Sequence, residues 1–382
     1  MRTREKPAST EVVTYAPFVL LPSPVPRQMF EKAQAVQTDF NVMMHRVAHD
    51  YDFLKECLAS TIKVDNFTGH MWQIYERVYK EGIVQPICLA INRSDYMFDS
   101  PLGESSRSQV HLRQIEFNTM ASSFGGLSQK LADLHSAAVL FLILPIEGNI
   151  YDQRWLEYGI KAINPNIKVI RRSIQDLANR AVLSEDKCLL IDDVEVAIAY
   201  QRTCYIPEHF ESEKDWDARL LVERSRAIKC PNIAYHLAGT KKVQQVLAEP
   251  GMVQRFASSP EAAARIIDTF AKLLQLRQSN NTYGEDIVKV LNEIKDTDER
   301  TAYILMERIS PPPHRNYPIR VDTPVSLQLL ISELGIYGTL VGTKDKVTLN
   351  EQTGHNLRTK AVDMNEGGVA TGYSSLDSPF LV

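Results

Sequence analysis

The chain has 382 residues, enough for two or three domains around a substantial core. Its 44% apolar and 24% charged content is ordinary for a soluble globular protein. A formal charge of -4 and a pI near 6.2 argue against a large nucleic-acid surface but leave room for local basic pockets. The five cysteines, Cys57, Cys88, Cys188, Cys204 and Cys230, are odd in number, widely spaced and without a CxxC pair. That pattern fits buried or idle thiols in a reducing compartment better than a disulfide frame or zinc site.

The first residues, MRTREKPAST, are polar and contain no apolar stretch of the kind a signal peptide needs. The longest apolar run, Ala137–Ile146, falls short of the roughly 20 residues that span a bilayer and reads as a buried strand. A cytoplasmic (cytosolic) protein without membrane partners is therefore expected. After Pro24 and Pro26, Ala33, Val36, Phe40, Met43 and Val47 recur at helical spacing. Ser23 is placed to cap this helix, and Pro26 suits its first turn. A second helix is expected over Phe67–Tyr79, then a strand over Ile83–Ile91 with NRSDYMF following its end.

From Ala137 the pattern alternates strand and helix. Strands are expected at Val139–Leu144, Lys168–Ile170 and Leu189–Ile191, and helices at Asp152–Ala162, Ile174–Val182 and Trp216–Ile228. A hairpin through Asp192–Asp193 leads into a strand over Val194–Tyr200. This is the pattern of a three-layer α/β unit with buried parallel strands. Beyond Gly239, helical segments (Val243–Leu247, Glu261–Leu274, Ile287–Ile294) precede strands at Tyr303–Ile309, Ile336–Gly342 and Lys346–Leu349. Pro311–Pro313 reads as a turn or edge, and the Gly- and Ser-rich tail as a loop.

One stretch, QIEFNTMASSFGG, combines strand alternation with chemistry. Glu116 and Asn118 are two residues apart, so on a strand they face the same way. A carboxylate and an amide carbonyl are hard oxygen ligands suited to Mg²⁺; they are equally what an ordinary polar strand face carries. The turn after them offers the donors Ser122 and Ser123 and the permissive Gly125 and Gly126, either an anion-binding lip or a plain loop. Arg93, Arg202 and Arg358 stand near element ends, suited to holding carboxylates and phosphates or simply to a charged surface.

Together the stretches STEVVTYAPF, AINRSDYMF, QIEFNTMASSFGG, GNIYDQR, RLLVERSRAIKCPNIAYHLAGTKKVQQ, YILMERI, ISELGIYG, GHNLRTKA and GGVATG resemble the eukaryotic glutathione synthetase family, in the family's order and from near the start to the end. The resemblance implies an α/β (α+β) ATP-grasp fold with an inserted three-layer α/β substrate-binding domain. Residues 1–135 and 239–382 would form the ATP-grasp body and 136–238 the insert. It implies a cytosolic homodimer that joins γ-glutamylcysteine to glycine with ATP and Mg²⁺. Glu116 and Asn118 then look like magnesium ligands, with Glu116 also against ATP. Arg93 and Arg358 look like the catalytic arginines and contact substrate. Met120, Ala121, Ser122 and Ser123 look like substrate contacts, as do Glu147, Gly148, Asn149 and Gln153. So do Arg202, Thr203, Cys204 and Tyr205, and, on the glycine side, Val369 and Ala370. Lys241 resembles an ATP-phosphate contact, and Asn281 and Tyr283 resemble lid residues. Met306, Glu307, Arg308, Ile309 and Glu333 resemble the adenosine pocket, with Lys360 and Glu366 as further ATP contacts.

The chain departs from the family in three places. A lysine, a triple glycine and a third magnesium-ligand glutamate of the family are absent around Arg277–Ser279. A helical stretch between SFGGL and the next strand is missing, and Ala121 replaces a small polar residue. Either segments are missing from the sequence as read, which is preferred because losing a strand of the nucleotide site harms folding, or the chain is shorter. A shorter chain opens one alternative, a binding or dimerising subunit with little turnover; a separate alternative keeps the ligase and changes the acceptor to another small amino acid such as β-alanine.

Overall fold

Apolar residues at three- and four-residue steps fold Arg27–Ala48 into a 22-residue helix that buries Ala33, Val36, Phe40, Met43 and Val47. Ser23 does not cap it. Pro26 is the N-cap residue, and Ser23 lies in a short strand, Ser23–Val25, where its backbone pairs with the C-terminal strand Pro379–Leu381 and its hydroxyl meets Asp377 and His314. Two short helices not expected from the sequence, Tyr51–Leu58 and Thr61–Val64, come next, and the helix expected over Phe67–Tyr79 runs Asn66–Glu81, capped by Asp65, whose carboxylate accepts from the N–H groups of Phe67 and Thr68. This computed structural model describes residues 17–99, 110–121, 138–145, 150–270, 273–274, 285–297, 305–306, 309–364, 369 and 373–382.

The main sheet has eight strands. Its centre is the antiparallel run Lys346–Ala361, Gln328–Thr343, Cys88–Asp99, His111–Asn118, with His111–Asn118 at one edge. The two 16-residue strands run well beyond the expected Ile336–Gly342 and Lys346–Leu349, because polar residues on one face interrupt the apolar pattern. The strand expected at Ile83–Ile91 is Cys88–Asp99, so NRSDYMF lies inside it and Arg93 is a mid-strand residue. Further differences are local. Leu273–Leu274 is a strand paired with Leu305–Met306, not a helix end. The Glu213–Arg224 helix stops before a separate parallel strand, Ile228–Cys230. The tail contributes strands Ser375–Asp377 and Pro379–Leu381.

Alternation along these strands divides the sheet into two faces. Ala90, Tyr96 and Phe98, with Leu334, Ile336, Leu340 and Leu357, join the helices in one core. The opposite side of the Cys88–Asp99 strand packs Leu89 and Ile91 against a second sheet, in a core with Val139, Phe141, Ile198 and Tyr200. That second sheet has six strands, ordered 169–172, 138–142, 194–201, 189–191, 181–183, with 228–230 beside 194–201. Its central pairings are parallel, and Asp192 and Asp193 turn its hairpin with φ of 51° and 61°.

The long helix meets the main sheet through buried amides. Gln37 and Asn92 both donate to Asn41 Oδ1 (3.1 and 3.0 Å), and Asn41 donates to Asn350 (2.9 Å). Gly338 lies directly beneath: a Cβ there would collide with Asn41 and come within 2.7 Å of Gln37 Nε2. Gly338→Ala is therefore expected to destabilise the fold by about 1–3 kcal/mol, read from urea unfolding. An unchanged midpoint would mean that the helix does not seat through this amide cluster.

Candidate active site

The odd-numbered residues that follow Leu89 and Ile91 along the same side of the strand are Arg93 and Asp95. Asp95 is only 1% exposed. A carboxylate so buried is stable only when it is paired, and here it has three partners. Arg93 binds both its oxygens (Nε to Oδ1 2.7 Å, Nη2 to Oδ2 2.8 Å), Arg358 Nη2 donates to Oδ2 at 3.0 Å, and Asn118 Nδ2 donates to Oδ2 at 3.0 Å. Arg358 also pairs with Glu333, its cross-strand neighbour. One carboxylate thus ties together the strands that carry Arg93, Asn118 and Arg358.

The edge strand supplies the next two groups. Arg93 lies opposite Asn118 and Asp95 opposite Glu116, and the register then slips so that Tyr96 faces Gln114. This bulge at Ile115 lets Leu112 and Phe117, five residues apart, both reach the helix-side core while Glu116 and Asn118 face the site. Asn118 gives its Nδ2 end to Asp95, so its carbonyl end is the one with ligand character. Glu116 forms an ion pair with Lys241 at 3.1 Å.

Lys241 is brought there by Gln244 and Gly239. The Gln244 amide pairs with the edge strand's backbone, accepting from Phe117 N–H (3.0 Å) and donating to Phe117 C=O (3.2 Å). A Cβ on Gly239 would collide with Thr119 Oγ1, so only glycine lets the chain pass this close. The helix Lys241–Leu247 consequently begins beside Glu116.

Charge sets the protonation of these groups. Lys241 first, then Arg93 and Arg358, hold the Glu116 carboxyl down to about 2, against the effect of burial. Burial raises Glu333, an effect Arg358 only partly offsets. Burial opposes charge on Arg93 and Arg358, but Asp95 beside Arg93, and Glu333 with Asp95 beside Arg358, outweigh it and strengthen both cations. Burial pushes the Tyr337 phenol, opposite Arg93, up to about 12.

The smaller sheet reaches the same region. Arg202, just past the strand Val194–Gln201, donates to Ala121 C=O in the turn after Asn118 and lies 3.5 Å from Asp152. Gln153 is buried and accepts from Arg171. Thr203 and Cys204 are buried while Tyr205 is 41% exposed; burial pushes the Cys204 thiol up to about 12, which makes it inert.

Arg93, Glu116, Asn118, Lys241, Glu333 and Arg358 therefore form one connected cluster. Lys360 stands on the same side of its strand as Arg358, two residues on. Met120 and Ala121 lie in the turn that Arg202 holds. Ile309 and Val369 are half-buried, and among the described residues neither is bonded into the cluster. Met306 is described only as part of its short strand. Ser122, Ser123, Glu147, Gly148, Asn149, Asn281, Tyr283, Glu307, Arg308, Glu366 and Ala370 lie outside the described residues. Asp95, the hub, was not singled out from the sequence, although it stands two residues from Arg93, the same spacing that drew attention to Glu116 and Asn118.

The sequence profile of the family described as eukaryotic glutathione synthase, ATP binding domain, matches residues 1–280 and 278–381. The chain is 40% identical to glutathione synthetase of Xenopus laevis and 39% identical to that of Homo sapiens, in each case over 100% of this chain and 93% of the relative. A solved structure of a glutathione synthetase-like effector from Globodera pallida, in its apo form, superposes with a TM-score of 0.77 at 25% identity, covering 98% of this chain and 92% of that one. Family match and fold together make this an ATP-dependent ligase of the ATP-grasp class. The chain belongs to the eukaryotic glutathione synthase family. Its alignment with the Xenopus relative runs over 449 positions against 382 residues, so that relative carries internal segments this chain lacks.

Two outcomes follow from the cluster. Asp95→Asn removes the buried charge between two guanidiniums and should cost about 3–5 kcal/mol in urea unfolding; a loss below about 1 kcal/mol would show that the arginines are held by other partners. The second concerns Glu116. Its folded-state pKa lies below the ordinary 4.5, so its contribution to stability is complete above that pH and is lost as pH falls toward about 2. Lys241→Met should shrink this acid-dependent loss between pH 4.5 and 2 in an unfolding series, and identical profiles would contradict the pairing.

Proposed function

We propose that this chain ligates γ-glutamylcysteine to glycine at the expense of ATP, forming glutathione, ADP and phosphate. The observation that carries this reading is the cluster itself: two guanidiniums, a lysine, a carboxylate and an amide converge on one sheet face in a chain that aligns with glutathione synthetases along its whole length. The dipeptide's terminal carboxylate attacks the γ-phosphate and ADP leaves, giving an acyl phosphate; the glycine amine then attacks its carbonyl, loses a proton and forms the amide as phosphate leaves. Arg93 and Arg358, held rigid by Asp95, orient substrate carboxylates. Lys241 neutralises phosphate charge. Positioning and neutralisation are the main requirements of such a transfer.

Glu116 and Asn118 would hold Mg²⁺. A carboxylate kept ionised, already matched by the ammonium of Lys241, beside an amide carbonyl is a fitting donor pair for a cation that completes its shell with phosphate and water. Among the described residues no three His, Cys, Asp or Glu side chains form a metal cage. Bound there, Mg²⁺ would supply charge stabilisation to the transferring phosphoryl group. The reading includes a homodimer in the cytosol, as the family resemblance implies; no helix among the described residues is long and apolar enough to cross a membrane.

Purified chain with ATP, Mg²⁺, γ-glutamylcysteine and glycine should release phosphate and form glutathione in equal amounts. The internal segments absent from this chain favour a second reading, a protein that binds substrates with little turnover. Substrate binding without phosphate release would establish that reading and defeat ligation. In competition, preference for β-alanine over glycine would reassign the amino-acid pocket around Val369 and Ala370. Glu116→Gln should lower turnover at limiting magnesium roughly a hundredfold with the fold intact; near-normal activity there would remove Glu116 from the metal site.

A further inference from the structure

Among the described residues, the face that carries the cluster also bears Asn356, a polar side chain that the reactions above do not use. Asn356 lies two residues before Arg358, so both side chains stand on the same side of the strand Lys346–Ala361. Its cross-strand partner is Gly335. A Cβ on Gly335 would collide with Asn356 Oδ1 and lie 3.0 Å from Asp95 Oδ1 and 3.1 Å from Arg93 Cδ. The Asn356 amide therefore lies over the glycine, next to the Arg93–Asp95 pair. Among the described residues, neither Oδ1 nor Nδ2 of Asn356 has a hydrogen-bond partner, though both are shielded from solvent, and the same holds for the neighbouring Nε of Arg358. Shielded amides left unsatisfied cost about 1–3 kcal/mol, so a side chain held this way calls for something that binds it.

The charges nearby narrow what that is. Arg93, Arg358 and Lys241 are matched against Asp95, Glu333 and Glu116. The charged side chains around Asn356 are the ones placed for carboxylate and phosphate, whereas Asn356 itself is neutral, and a neutral group with one donor and one acceptor matches its carboxamide. We infer that Asn356, seated over Gly335, is a subsite for the amide group of a peptide substrate, with Oδ1 accepting from its N–H and Nδ2 donating to its carbonyl. Arg358 Nε supplies a second donor on the carbonyl side. The inference rests on the proposed ligase reading, in which the dipeptide carries one such amide; the subsite selects a peptide over a free amino acid.

The test is Asn356→Leu, similar in size and unable to hydrogen-bond. It should raise KM for γ-glutamylcysteine about tenfold, the loss of one good hydrogen-bond pair, while KM for ATP and for glycine stays put. The thermal midpoint of Asn356→Leu should hold or rise, because an unsatisfied amide has been removed. An unchanged KM for the dipeptide, or a fall in midpoint with all three KM values rising together, would overturn the subsite. Calorimetric titration of wild type and Asn356→Leu with γ-glutamylcysteine separates the two claims. Wild-type binding without turnover refutes ligation, and the variant's affinity then decides the subsite. Equal affinities refute the subsite alone, and no wild-type binding refutes both.

Discussion

A carboxylate shut away from water must be neutralised, and Asp95 imposes that requirement on everything around it. Its oxygens take Arg93 along the same strand, Arg358 from two strands away and Asn118 from the edge strand. The guanidiniums are consequently pinned before any substrate arrives. Reorganising long, flexible cations is a main cost of recognising carboxylates and phosphates. Here that cost is met during folding, and the side chains that remain adjustable, Glu116 and Lys241, sit at the more exposed rim.

The cluster exists because four strands keep a common phase. On the Cys88–Asp99 strand one set of alternate residues enters the helix-side core, while the other set first packs the smaller sheet through Leu89 and Ile91 and then becomes Arg93 and Asp95. One side of one strand thus serves as a hydrophobic joint and, two residues on, as the site floor. The joint also brings Arg202 and Asp152 to the turn after Asn118, where Arg202 holds Ala121. The bulge at Ile115 is what keeps the edge strand in step, since without it Leu112 and Phe117 could not both be buried.

The same physics explains what could be read in advance. Arg27–Ala48 was legible because its apolar period is uninterrupted. That Glu116 and Asn118 share a face was legible because a two-residue step on a strand fixes the side on which both stand. Strand lengths were not: Glu333 and Arg358 break the apolar alternation of Gln328–Thr343 and Lys346–Ala361, and their compensation comes from across the sheet. Arg93 was placed beyond its strand for that reason, and Asp95 was passed over because a buried acid is recognisable only once its partners are known. The roles of Gln244 and Gly239 depend on contacts with Phe117 and Thr119, more than a hundred residues away, which no local pattern encodes. Resemblance to the family carried the functional reading further than residue patterns could.

In the proposed reaction, the preassembled charge network on one sheet face would receive a metal-bound triphosphate at its rim. A crystal structure with Mg²⁺ and a non-hydrolysable ATP analogue tests it most directly. The account requires the metal on Glu116 and Asn118, Lys241 turned from Glu116 to phosphate, and the Arg93–Asp95–Arg358 contacts unchanged. Nucleotide bound away from this face, or an Asp95 that releases its arginines when nucleotide binds, would contradict it.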